Sequence, residues 1–167
     1  MELYLLRHGI AVEHGTPGFE TDAARTLTPK GRRQLRQTAA AMKKIDLPFD
    51  LILSSPLLRA KQTAEIIAEK LKRTKRLKFS DELKPDGSVK NLFRQLNELK
   101  SAPESILLVG HEPDMSRMIS LLISGGDNAT IDFRKGGLCK LEADILRAGR
   151  CATLAWLLTP KQMKLMA

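Results

Sequence analysis

Short apolar runs alternate along the chain with longer stretches in which apolar residues recur every third or fourth position. Strands and helices that take turns in an α/β sheet give this pattern. Leu3-Tyr4-Leu5-Leu6, Leu51-Ile52-Leu53 and Ile106-Leu107-Leu108-Val109 read as buried strands, and Leu77 to Phe79 as a brief fourth. The first helix is expected after Thr28, with Thr28 as N-cap and Pro29 in the first helical position. Its apolar stripe is Leu35, Ala39 and Met42, and Leu47-Pro48 closes it. Ser54-Ser55-Pro56 reads as a second cap followed by a first-turn proline. The helix behind it carries Ala60, Ala64, Ile67 and Leu71 at helical spacing. Ser88 is expected to cap a third helix with Leu92, Leu96 and Leu99 on one face. Gly110 to Asp114 leads into a fourth with Met115, Met118, Ile119 and Leu122.

Two segments read as loops, Gly9 to Thr26 and Asp81 to Gly87. From Ile131 onward the pattern changes. Gly136-Gly137, Cys139 to Ala143 and Cys151 to Leu158 suggest one or two antiparallel strands at a sheet edge, and Lys161 to Met166 a last helical turn. The expected fold is α/β: a single domain over residues 1–167, three layers α/β/α, with a mostly parallel sheet and an antiparallel edge near the C-terminus.

Length agrees, since 167 residues make one domain and can bury a sizeable core without a disulfide or metal staple. Two cysteines exclude a disulfide-rich scaffold and a Cys-based structural zinc site. No apolar run approaches the roughly 20 residues that cross a bilayer, and the start MELYLLRHG lacks the regions of a signal peptide. We expect a cytoplasmic protein with no membrane partner. Lys and Arg outnumber Asp and Glu by 28 to 19, a net charge of +9. An anionic partner follows, with nucleic acid, acidic lipid, an acidic protein and a phosphorylated substrate all open.

Three places share one context. Arg7-His8-Gly9 follows the first strand, Ser55 to Arg59 follows the second, and Gly110-His111 follows the strand at 106–109. Ligands of open α/β sheets bind outside the carboxyl ends of the strands. Parallel neighbouring strands would bring Arg7, His8, Arg59 and His111 to one spot. A neutral imidazole is a nucleophile toward phosphorus. Guanidinium groups beside it favour the neutral form and match phosphate oxygens with a planar fork. Gly9 lets the backbone turn and approach a ligand closely.

With these residues in place, Leu5-Leu6-Arg7-His8-Gly9 resembles the signature of the histidine phosphatase superfamily, which includes phosphoglycerate mutases and acid phosphatases. The segment Ser54 to Ala64 resembles its second phosphate-arginine motif, and Val109-Gly110-His111 its second histidine. Leu27 to Gly31, Glu82 to Pro85 and Leu158 to Lys164 are similar to SixA-type phosphohistidine phosphatases. The resemblance implies that His8 becomes phosphorylated and that Arg7, Arg59 and His111 surround the phosphoryl group, with Gly9 at the substrate. It implies no metal and no organic cofactor. Glu82 best matches the family's acidic residue, as proton donor or as activator of water, with solvent as the other source of the proton. The implied partner is a histidine-phosphorylated protein such as a histidine-phosphotransfer domain, with phosphate or sulfate able to fill the pocket.

A small-metabolite phosphatase of the same superfamily is the alternative. A basic nucleic-acid- or phosphoprotein-binding module is the alternative of another class. Nucleic acid is disfavoured by 4% aromatic residues and by the lack of a base-reading motif. His14 is expected to be an exposed loop residue, Cys139 and Cys151 buried inert thiols, and Trp156 part of the core. Lys70 to Arg76 reads as a solvated helix end whose remaining use is steering an acidic phosphoprotein toward the site.

Overall fold

In the computed structural model, which describes all 167 residues, strand β1 (Glu2–Arg7) lies inside a six-stranded sheet. The others are β2 (Leu51–Ser54), β3 (Leu77–Phe79), β4 (Ser105–Gly110), β5 (Leu138–Ala143) and β6 (Ala152–Leu158), in the order β3-β2-β4-β1-β5-β6. The pairs β1–β4, β2–β4 and β2–β3 are parallel. Strand β5 runs antiparallel to β1 and to β6, so the C-terminal region supplies the two-stranded antiparallel edge.

Successive residues of a strand point to opposite faces, and β1 and β4 are apolar on both. Leu3 and Leu5 join Leu51, Leu53, Ile106 and Leu108 in one core cluster. Tyr4 and Leu6 join Ile52, Leu107 and Val109 in another. Helices α3 (Val89–Asn97) and α4 (Asp114–Ser124) cover the first cluster through Leu92, Leu96, Met115 and Ile119. Helices α1 (Pro29–Lys44), α2 (Leu58–Lys70) and α5 (Pro160–Met166) cover the second through Ala39, Met42, Ala64, Ile67 and Met163. Coverage on both sides explains why these strands read as unbroken apolar runs.

Neighbouring β1 and β4 lead to helices on opposite faces, α1 and α4. Their carboxyl ends therefore flank a crevice at a topological switch point.

The capping residues of α1 and α3 are as expected. Thr28 Oγ1 accepts the Gly31 N–H (3.0 Å), and Ser88 Oγ accepts the Asn91 N–H (3.2 Å). A Cβ on Gly31 would stand 2.1 Å from the Ile10 carbonyl oxygen, so glycine there lets α1 press against the chain just after His8-Gly9. The α2 start differs from expectation. Leu57, not a serine, precedes the helix, and it provides no side-chain cap. Ser55 Oγ accepts the Leu57 N–H (3.3 Å) in a turn ahead of the helix. Both expected loops contain a 3-10 turn, at Asp22–Ala24 and at Asp81–Leu83. The first is also pinned by a bridge between Ala11 and Leu27.

Candidate active site

At the end of β1 the chain is clamped by its neighbours. Arg7 N–H donates to Gly137 O (3.2 Å) and His8 N–H to Gly110 O (3.0 Å). The Gly136 N–H donates to both Arg7 O (3.0 Å) and His8 O (3.1 Å). Gly136 holds a φ of 77°, a left-handed conformation that glycine adopts without strain. The Gly9 N–H goes to Thr63 Oγ1 (3.1 Å), and that hydroxyl donates to Arg59 O (2.7 Å).

Buried His8 donates Nδ1–H to the Gly9 carbonyl (2.8 Å). This bond leaves the lone pair on Nε2. The Nε–H of Arg59, from the first turn of α2, reaches that lone pair at 3.3 Å. His111 follows β4, with its ring centroid 5.2 Å from that of His8. Its Nε2 pairs with Ser55 Oγ (2.8 Å), and its Nδ1 is buried with no partner in the protein. Arg7 donates Nη1–H to Phe133 O (2.7 Å), and its Nε is likewise buried and unpartnered. Such atoms cost about 1–3 kcal/mol each when left unsatisfied. Two of them beside two guanidinium groups make a site suited to an anion.

Burial keeps both imidazoles neutral. It pushes His8 down to about 3, against the Gly9 bond and with help from the charges of Arg59 and Arg7. Burial also pushes His111 down to about 4, with Arg59 adding to it. The arginines assist as expected, and burial is the larger cause. Between pH 6.5 and these lowered values the unfolded chain binds protons that the folded chain refuses. Stability thus falls as pH falls, by on the order of 3 kcal/mol per histidine at pH ~4. Denaturant unfolding at pH 7 and pH 4.5 should show the loss, and His111→Gln should lessen it. An equal acid slope in that variant would assign the loss to other groups.

The sequence-derived residues Arg7, His8, Arg59 and His111 are thus brought together. Gly9 acts through its carbonyl and its close packing, because its N–H is taken by Thr63. The Glu82 carboxylate accepts the Ser88 N–H (2.9 Å) and hydrogen-bonds to none of the four. Four contacts were missed: Ser55 on His111, Thr63 on Gly9, the 133–137 turn on Arg7 and His8, and Asp22 on Arg59. Asp22 accepts from Arg59 twice, from Nη1 at its carbonyl oxygen (2.8 Å) and from Nη2 at Oδ2 (2.9 Å). The opposite charges of Asp22 and Arg25, three residues apart, were the visible signal, and they do pair (2.7 Å).

His14 is exposed. Cys139 is fully buried, and burial pushes its thiol up to about 12. Cys151 is only half-buried. Trp156 is half-buried as well, on the edge strand with its ring 5.8 Å from Tyr4. Lys70 ends α2, which starts beside the site, so the basic run lies about 20 Å away along the helix. Beyond a Debye length its charge is largely screened, and it is misplaced for steering. A cleft of about 1250 Å³ also opens at that far end, among Glu2, Glu104, Arg147 and Arg150. No group of three His, Cys, Asp or Glu side chains is arranged to hold a metal ion. No helix is long and apolar enough to cross a membrane.

Residues 3–84 match the model of the histidine phosphatase superfamily (branch 1). A protein of Picosynechococcus sp. described as uncharacterized is 34% identical over 148 residues, 88% of each chain. The phosphohistidine phosphatase SixA of Escherichia coli K12 is 29% identical over 126 residues, 75% of this chain and 76% of that one. The structure of the protein histidine phosphatase SixA complexed with tungstate superposes with a TM-score of 0.82 at 26% identity, covering 98% of this chain and 100% of that one. The chain belongs to the histidine phosphatase superfamily, branch 1. Within that superfamily its sequence and fold are similar to those of SixA.

Proposed function

We propose that the protein is a cofactor-independent phosphohistidine phosphatase, acting as one domain over residues 1–167 with His8 as its nucleophile. The observation that carries this reading is the tautomer of His8. Its Nδ1–H is spent on Gly9 O, which leaves the Nε2 lone pair facing the Nε–H of Arg59. In the first step Nε2 bonds to phosphorus while the bond from phosphorus to the substrate's imidazole nitrogen breaks. That nitrogen takes its proton from solvent. In the second step water attacks phosphorus and the bond to Nε2 breaks, releasing phosphate and restoring neutral His8. The water's proton passes to solvent, or to Glu82 if its carboxylate releases Ser88. Arg7, Arg59 and His111 hold the phosphoryl oxygens and stabilise the charge spread over them in flight.

The SixA likeness supports a histidine-phosphorylated protein, such as a histidine-phosphotransfer domain, as substrate. Two free cysteines fit a cytoplasmic setting. The test compares kcat/KM for a phosphorylated phosphotransfer domain with that for a panel of phosphorylated metabolites. We expect the protein substrate to be preferred. A metabolite preferred by orders of magnitude would overturn the substrate class. Salt-sensitive RNA binding without any hydrolysis would overturn the enzyme reading.

A further inference from the structure

Asp22 is the only carboxylate that hydrogen-bonds to the four clustered side chains. Each of the three nitrogens of the Arg59 guanidinium has a partner. Its Nε is on His8 Nε2, its Nη1 on the Asp22 carbonyl and its Nη2 on the Asp22 carboxylate. A phosphoryl group on His8 needs the Nε and Nη2 hydrogens together, since that edge gives the two parallel bonds of a guanidinium fork. The Asp22 carboxylate already sits on Nη2, one of the two nitrogens of that edge.

The two partners differ in freedom. Arg59 has 4% of its side chain exposed and Asp22 has 42%. Asp22 sits on a three-residue 3-10 turn with no buried residue. Its second oxygen is on Arg25 Nη1 (2.7 Å), and Arg25 is fixed by its Nε–H on Val12 O (2.8 Å). On leaving Arg59 the carboxylate therefore keeps a charged partner. The loop around it stays anchored, because Gln62 Oε1 accepts from Thr26 Oγ1 (2.8 Å) and from Leu27 N–H (2.9 Å). Partial burial alone would raise the Asp22 carboxyl, but its bonds from Arg25 and Arg59 outweigh that and hold it below its ordinary value. It is an anion, not a proton donor.

We propose that Asp22 is an internal anion that competes with the phosphoryl group for Arg59 and sets how tightly the pocket holds an oxyanion. This rests on the phosphate-pocket reading above. A ligand that contacts only Arg59 does not displace the carboxylate. A phosphoryl group bonded to His8, Arg7 and His111 as well does displace it. When phosphate is released, Asp22 returns to Arg59 and opposes rebinding of the product.

The test is tungstate binding measured by titration calorimetry in wild type, Asp22→Asn and Asp22→Ala. Both variants should bind tungstate tighter, by about three- to fivefold, the effect of removing one partly exposed charge partner. Inhibition by product phosphate should strengthen by the same factor. Unchanged or weaker binding in both variants would overturn the proposal, the weaker case making Asp22 a support that positions Arg59. Absence of tungstate binding in all three proteins would overturn the phosphate pocket itself, and the competition with it.

Discussion

Replacing His8 by alanine should lower kcat by a factor on the order of 1000 or more, because the covalent route has no substitute nucleophile. His111 is the neighbouring imidazole, with Nε2 on Ser55 and Nδ1 unpartnered, so the label must be assigned to one ring or the other. The decisive measurement is a phosphorylated intermediate trapped by acid-free quenching. Wild type should carry phosphate on one histidine, and His8→Ala should carry none. Full turnover in His8→Ala, or label on His111 in wild type, would remove His8 from the reaction. His8→Asn serves as a second variant, since its amide can still bond locally and preserve the buried loop.

The second large effect concerns Arg59. Arg59→Lys should lower kcat/KM about 100-fold or more, although the charge is kept. The guanidinium places its Nε–H on His8 Nε2 and an Nη2–H on the Asp22 carboxylate. An ammonium is a point charge and cannot reproduce that fork. Oxyanion donors of this kind are each worth about two to three orders of magnitude in kcat. Near-normal kcat/KM in Arg59→Lys would show that this fork does not hold the phosphoryl group. Folding is a separate question, because a buried lysine beside two imidazoles must also find a partner. Thermal unfolding of the same variant separates the two effects.

The strands that position the site were legible because burial on both faces writes itself as an apolar run. Leu3 to Leu6 and Ile106 to Val109 left no second interpretation. Arg7, His8, Arg59 and His111 were legible because each directly follows such a strand or opens the helix after it. The edge strands were less so, since β6 alternates irregularly and pairs with a register shift at Lys140/Leu141. Contacts made by irregular chain were not legible at all. Asp22 reaches Arg59 through a 3-10 turn with no apolar period, and Gly136 reaches His8 through a backbone amide that carries no residue identity. Glu82 illustrates the converse. Its type suited proton transfer, but the nearby Ser88 amide needed an acceptor at the start of α3 and uses its carboxylate.

The 133–137 turn grips residues that were made very early in the chain. Arg7 bonds Phe133 across 126 positions, and the Gly136 amide holds the carbonyls of both Arg7 and His8. Closing so long a loop is slow compared with forming a helix. During synthesis His8 therefore leaves the ribosome long before the turn that fixes it, at about 5–20 residues per second. For several seconds the nascent chain holds His8 without the backbone clamp at its carbonyl. Competence at this site is a late event, acquired only after the antiparallel edge has been threaded beside β1.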